Sequence, residues 1–461
     1  MSEAIDNAVS EVLSSKRNKL VHPGDGALTQ VYATPRDVTS ILAEAVTHRG
    51  QYRVSSNNLA LGAQSNFILS TSAILENIML VFSVTAPVNG WFSHIGWGFD
   101  LIDSIEITYA NSLMQNMVIR GDILKEYAKL CCCSKDEREQ MLNHAGSLSF
   151  KNTAETKTAS VPLSFLNYNT SGMRGSWPMD ASVLAGPIQI CINWTSPSNT
   201  SRIFVDSVTP ILPADLPVRV IGAEITCTTI TLQTSAFGVK DAMMKNRSLV
   251  YSIPARYISI VNESRAVLNA ITDVININLN SAPAGMLEGI IIYAAPNDVG
   301  ASPLDNWVNG GTDKRKHGGS LQIDNLRLQF GSQDLIRYKN REEMLAFNRC
   351  NFGDTLTYNE LITTPGSATL AYTSVESDIL FLPLIQNGKG VFNGHINEHV
   401  PSYGGSQLQL TLQFSNHSEE RSTVPGPDDG ALVTGTSIQI WVGYLISSIL
   451  EVSQGTVDLQ L

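Results

Sequence analysis

Ile102-Asp103-Ser104-Ile105-Glu106-Ile107-Thr108-Tyr109-Ala110-Asn111-Ser112-Leu113 returns 221 positions later as Ile323-Asp324-Asn325-Leu326-Arg327-Leu328-Gln329-Phe330-Gly331-Ser332-Gln333-Asp334. Ile105, Ile107 and Tyr109 alternate with polar residues, and so do Leu326, Leu328 and Phe330 at the matching places. That two-residue period marks a strand with one buried face. The same offset carries Pro162-Leu163 onto Pro383-Leu384. A charged stretch of helical composition follows each copy, Ile119–His144 in the first half and Ser332–Arg349 in the second. So long a period reads as a duplicated domain and not as a solenoid.

Around this pair the chain reads as β structure from Gln51 onward. In the first half, strands are expected at 66–69, 74–85, 101–109, 160–166, 188–194 and 218–232. In the second half they are expected at 249–261, 273–279, 289–294, 321–330, 379–384, 407–414 and 437–452. These runs are rich in β-branched and aromatic residues and are bounded by Gly, Pro, Asn and Ser. Residues 236–246 are polar and read as the join. Residues 195–217, 296–319 and 415–435 are Gly/Pro-rich and read as long loops. Many short strands with few helices mean a sandwich or barrel. About eight strands per half fits a jelly roll, two four-stranded sheets packed face to face. The expected class is all-β: an N-terminal arm over 1–50, a first roll over 51–240, a second over 247–452 and a tail over 453–461. Within the arm, Ala4, Ile5, Ala8, Val9, Val12 and Leu13 share one helical face, and a short helix is expected over 38–47.

Composition narrows the function. Of the 461 residues, 43% are hydrophobic and only 16% charged, against about 25% in an average globular chain. Uncharged polar residues make up the difference, which suits wide polar contacts between subunits. The net charge is −11 and no basic run is long, which argues against direct or sequence-specific nucleic-acid binding. Lys314-Arg315-Lys316-His317 is a local basic spot and reads as a loop tip. No secretory leader and no apolar run of membrane-spanning length are expected. The six cysteines show no metal-ligand spacing and suit a reducing compartment.

Short matches to chemical motifs have plainer readings. His395-Ile396-Asn397-Glu398-His399 has the spacing of a zinc-protease helix. Phe392-Asn393-Gly394 before it and Pro401 after it argue for a loop. Cys131-Cys132-Cys133 point different ways on a helix, so they cannot chelate one ion together, and they read as partly buried small residues. Arg120-Gly121-Asp122 lies between strand and helix, where Asp122 could cap the helix, as could Asp334 in the second half. Asp428-Asp429-Gly430 has no spaced acidic partner. The six tryptophans, Trp91, Trp97, Trp177, Trp194, Trp307 and Trp441, are spread along the chain and read mainly as core rather than as a sugar-binding platform. No catalytic, cofactor-binding or metal-binding residue is assigned, and no cofactor is expected.

Gly96-Trp97-Gly98-Phe99 leading into Leu101–Ile107 is one of four marks of a family. The others are Leu380-Phe381-Leu382-Pro383-Leu384, Leu408–Phe414 and Ile440-Trp441-Val442-Gly443-Tyr444-Leu445. With the duplicated plan and the helix after the repeated strand, the chain resembles the double jelly-roll major capsid proteins of icosahedral double-stranded DNA viruses. That lineage includes tectivirus-like phages, nucleocytoplasmic large DNA viruses, virophages and adenovirus-related viruses. The resemblance implies a non-enzymatic homotrimer of pseudo-hexameric outline that tiles a virion shell assembled in the host cytoplasm. It implies minor capsid and vertex proteins as partners, and low towers built from the three long loops. It also allows an internal membrane or a neighbouring subunit facing residues 1–20. The rival readings are a minor capsid protein of the same lineage and a double-sandwich protein that hydrolyses or binds glycans.

Overall fold

The computed structural model describes residues 46–70, 74–85, 90–92, 94–109, 117–132, 134–148, 156–163, 179–180, 186–197, 204–206, 219–232, 251–267, 273–279, 286–296, 323–364, 371–384, 408–414, 437–453 and 456–460. The expected helix over 1–20 and the join at 236–246 lie outside them. So do nearly all of the 296–319 and 415–435 loops.

The first half contains β1 (Val46–Ser56), β2 (Gln64–Leu69), β3 (Ile74–Thr85), β4 (Gly90–Phe92), β5 (Ile102–Tyr109), β6 (Met117–Arg120), β7 (Thr156–Pro162), β8 (Met179–Asp180), β9 (Ile188–Trp194), β10 (Phe204–Asp206) and β11 (Arg219–Leu232). Helix α1 (Trp97–Asp100) precedes β5, while α2 (Gly121–Leu130) and α3 (Lys135–His144) follow β6. The second half contains β12 (Tyr251–Val267), β13 (Asp273–Asn278), β14 (Met286–Pro296), β15 (Ile323–Phe330), β16 (Gln333–Tyr338), α4 (Arg341–Phe352), β17 (Thr357–Thr364), β18 (Ala371–Asp378), β19 (Leu380–Pro383), β20 (Leu408–Phe414), β21 (Ser437–Ser453) and β22 (Thr456–Gln460).

Both halves use the same strand order. In the first, β1-β11-β3-β7 forms one sheet and β2-β9-β5-β6 the other; in the second, β12-β21-β14-β19 faces β13-β20-β15-β16. Numbering the eight shared strands of each half by appearance gives 1-8-3-6 and 2-7-4-5 twice, the double Greek key of a jelly roll. Strand β15 spans the residues that the repeat assigns from β5, end for end.

Period-two alternation explains the faces. In β20, Leu408, Leu410 and Leu412 are buried while Gln409, Thr411 and Gln413 alternate outward. In β2, Ser65, Phe67 and Leu69 point in. Phe82 anchors the first core with its ring 5.1 Å from Trp194 and 6.4 Å from Trp97, both edge-on. Burying rings of this size is worth about 1.5–3 kcal/mol each.

Several expectations need correction. Residues 333–338 are a strand, not the start of the helix expected over Ser332–Arg349. Gly331, at φ 60°, and Ser332 make a tight turn that sends β16 back along β15. The charges of β16 belong to an exposed sheet edge, where charge discourages further pairing. The helix itself starts at Arg341, with the Asn340 side chain accepting from Glu343 N at 2.9 Å. Asp334 is therefore not a cap; it sits in β16 and pairs with Arg327 Nε at 2.7 Å. Ile119 likewise belongs to strand β6, and α2 has Arg120 at its N-cap position with no side-chain cap. Asp122 lies inside the first turn, and its side chain is outside the described residues. Val46 and Thr47, expected to end a helix, begin β1. Within the expected 195–217 loop, β10 pairs with β4. The hairpin β17–β18 was not expected. Residues 453–461, read as a tail, contain β22, which folds back on β21.

Candidate assembly surfaces and the junction between the rolls

The outer face of the β12-β21-β14-β19 sheet is buried. In β21, Ile440, Val442 and Tyr444 point into the second roll, while Trp441 and Leu445 point the other way, into the cluster that holds the first roll's core. Ile291, Tyr293 and Phe381 join them there. Helix α2 supplies the opposing surface: Ile123, Leu124, Tyr127, Ala128 and Leu130 are all buried. Gly443 permits the close approach, because a Cβ there would lie 2.9 Å from Ile123 Cγ2. Arg120 lies over the Trp441 ring, 5.3 Å from its centroid.

Helix α2 also buries Lys125, Glu126 and Lys129. Buried charge is tolerated only when paired. Lys125 Nζ lies 3.5 Å from Asp100 Oδ2, which itself meets Nε2 of buried His94 at 2.7 Å. Lys129 pairs with Glu126 and lies over the Tyr358 ring at 4.1 Å, a cation–π contact with the second half.

Helix α3 carries the polar part of the seam. Its Ser134 cap accepts from Glu137 N at 3.2 Å. Arg138, 1% exposed, donates to Lys129 O at 3.2 Å and to Thr357 O at 3.0 Å. Its Nη2 lies 2.6 Å from Asp354 Oδ2, an ion pair by distance whose angle falls short of a hydrogen bond. Glu139 accepts from Asn359 N at 3.1 Å, and Ile95 N donates to Leu361 O at 3.0 Å. At the rim, Lys135 meets Glu376 at 2.7 Å, and Arg341 forks onto Asp378 at 2.7 and 2.8 Å. Hydrogen bonding from Lys135 holds the Glu376 carboxyl below the usual glutamate range, helped by the charges of Lys135 and Arg341. The Asp378 hydrogen bonds raise the Arg341 guanidinium further. Apolar contacts and paired charges together make the two rolls one body.

The equivalent outer face of the first roll is unlike this. Matching cross-strand rungs pair Phe381–Ile291–Gly443 with Ser160–Val81–Glu224, Pro383–Gly289–Leu445 with Pro162–Met79–Thr226, and Tyr293–Trp441 with Ser83–Gly222. Where the second roll has Phe, Tyr and Trp, the first has Ser, Ser and Gly. Arg53 and Glu224 form a surface pair there at 3.2 Å, and Ile221 is 50% exposed. The other two sheets turn mixed faces outward: Asn193 donates to Ser104 and Glu106 on one and Thr411 to Asn276 on the other, beside exposed Ile68, Val118 and Val274.

The remaining motif residues scatter. Cys131 and Cys132 are buried at the end of α2, and Cys132 Sγ donates to Ala128 O at 3.4 Å. Burial pushes the Cys227 thiol up to about 11, which leaves it protonated and inert at neutral pH. Trp97, Trp194 and Trp441 are core residues. Trp91 lies in β4, its side chain outside the described residues, as are Trp177, Trp307 and Cys133. So are His395–His399, Lys314–His317 and Asp428–Gly430. Among the described residues no three His, Cys, Asp or Glu side chains gather as a metal site, and no helix is long and apolar enough to cross a membrane.

No family model matches the chain, and no curated protein matches it. Solved structures do. PBCV-1 VP54 aligns over 90% of this chain and 97% of its own at 11% identity, with a TM-score of 0.60. A chain of the Sputnik virophage aligns over 90% of this chain and 89% of its own at 11% identity, with a TM-score of 0.54. The Faustovirus major capsid protein aligns over 89% of this chain and 91% of its own at 9% identity, with a TM-score of 0.53. At such identities the likeness is one of fold, and it spans both halves and the seam between them. The chain is a double jelly roll, with the architecture of these viral capsid proteins.

Proposed function

We propose that the chain is a major capsid protein whose homotrimers, pseudo-hexameric in outline, tile an icosahedral virion shell. One observation carries the reading: two complete jelly rolls of identical strand order, fused by an apolar seam, matching PBCV-1 VP54 over 97% of its length. A minor protein built on one roll would not use that whole plan. The outward faces support the reading, since polar sheets with few charges suit wide, wet contacts between copies. Contacts of modest strength add up across a lattice.

The finer expectations are part of the same proposal. Residues 51–240 and 247–452 are the two rolls. The arm ahead of β1 places residues 1–20 toward the shell interior, facing a neighbour or an internal membrane, and minor capsid and vertex proteins bind the assembled trimers. The protein performs no catalysis and reads no nucleic-acid sequence, and it assembles in the host cytoplasm. The test is the native mass of the purified protein by light scattering, followed by electron microscopy. A mass near three times the 50.0 kDa chain and trimers of hexagonal outline are expected. A monomer at high concentration would overturn the proposal.

A further inference from the structure

The repeat matches the outer faces of the two 2-7-4-5 sheets rung by rung. Three amides keep their places: Asn66 corresponds to Asn276, Gln189 to Gln409 and Asn193 to Gln413. The charge at the centre is inverted. Glu106 on β5 stands where β15 has Arg327. Its cross-strand neighbour Val118 on β6 stands where β16 has Arg337.

Neither charge is cancelled within its own face. Glu106 accepts from the Asn193 amide at 3.1 Å, and among the described residues no cation pairs with it. On the second roll, Arg327 at 2.7 Å and Arg337 at 4.0 Å share the one carboxylate of Asp334, so a positive charge is left over. Apolar side chains lie beside both sites. Of the five large hydrophobic residues exposed in the described structure, Ile68 and Val118 are on the first face and Val274 is on the second. Few charges, opposite in sign and set among amides and exposed aliphatics, are the composition of a contact surface.

We infer that the 2-7-4-5 face of the first roll in one copy packs on the 2-7-4-5 face of the second roll in another copy, with Glu106 against Arg327 and Arg337. The inversion lies between two surfaces of one polypeptide at equivalent positions, which makes a second copy the occupant. Such a contact joins unlike surfaces, the arrangement that closes into a ring when the rotation permits. Opposite charges fix its register, and like charges oppose it. The inference rests on the self-assembly proposed above and names a contact within it.

The test uses the full chain and measures oligomer dissociation on dilution by analytical ultracentrifugation. Arg337→Glu changes a side chain that is 55% exposed, so the melting temperature should stay unchanged while two carboxylates come to face Glu106. Glu106→Lys sets a cation against the arginines. Each should weaken association by about tenfold or more. The double variant exchanges the charges and should recover most of that loss. Should Glu106→Lys fail to fold, Glu106→Gln keeps the shape and should make association less sensitive to salt. If Arg337→Glu dissociates like the unmodified protein, the inference is overturned and the capsid reading stands. A folded double variant no tighter than either single one, or unchanged salt sensitivity in Glu106→Gln, has the same consequence. An unmodified chain that is monomeric throughout overturns both.

Discussion

Helices α2 and α4 hold the same place in their rolls, each after the hairpin that ends the 2-7-4-5 sheet, yet α2 is buried on every described side and α4 is largely exposed. The sheets show the reverse contrast: the second roll's outer face is aromatic and covered, while the first roll's has Ser160, Ser83 and Gly222 in place of those aromatics. Duplication supplies two equal helices and two equal sheets. Fusing the copies brings one helix to one sheet permanently, so that pair can become apolar like a protein core. The other pair must remain presentable to water, and its residues show it. The difference separates a contact made once, during folding, from contacts made later between finished molecules.

Paired substitutions sharpen this contrast. The largest effect is expected from truncating the covered face. Phe381→Ala should cost about 3–5 kcal/mol of unfolding free energy, while Ser160→Ala at the matching place should stay within about 0.5 kcal/mol; chemical denaturation measures both. Equal costs would break the comparison. Next comes the seam network. Asp354→Asn removes the counter-charge of buried Arg138, and leaving a buried charge unpaired costs about 3 kcal/mol or more. The two retained carbonyl contacts of Arg138 should hold the loss near the low end.

Glycine substitutions give a smaller effect of the same kind. Gly443→Val would press on Ile123 and should cost about 1–3 kcal/mol, the range for overpacking. Gly222→Val, where no atom lies within 4 Å of the added Cβ, should be close to neutral by thermal unfolding. The smallest effect is a pH dependence. The Glu376 carboxyl is held below its ordinary value of 4.5. Its contribution is therefore fully present above that value and is lost as pH falls through the lower, folded value. Glu376→Gln should make the acid limb of stability shallower without changing stability at low pH, as read from melting temperature across pH.

Much of the fold was legible because β5 and β15 keep the same alternation, with matched inward residues at Ile105, Ile107, Leu326 and Leu328. The sequence also carries a signal for the seam. Ile290–Ile292, Leu380–Leu382 and Ile440–Val442 are continuous apolar runs, the mark of strands buried on both faces, whereas Val220–Thr228 is interrupted by Gly222, Glu224 and Thr226. The hairpin β17–β18 was hidden because Glu360 and Glu376 break its pattern and because its role is to meet α3 rather than to complete a sheet. Lys125, Glu126 and Lys129 could not be read as buried, since such residues are almost always exposed unless paired. Asp100 stands 25 residues before Lys125 and Tyr358 belongs to the other roll, while Glu126 and Lys129 pair one turn apart.

The position of α2 also has a consequence for how the chain is made. The last strand of its covering sheet, β21, is more than 300 residues downstream and leaves the ribosome after β14 and β19. Contacts of such sequence separation form slowly, and domains fold from the N-terminal side as they emerge. A nascent first roll must therefore wait with Ile123 short of its cover until Gly443 and Trp441 arrive. Chains stopped before Ser437 should be held by chaperones or aggregate, while chains that include β21 escape both. The seam thus acts as a checkpoint on duplication, since only a chain that carries the second roll can hide the helix of the first.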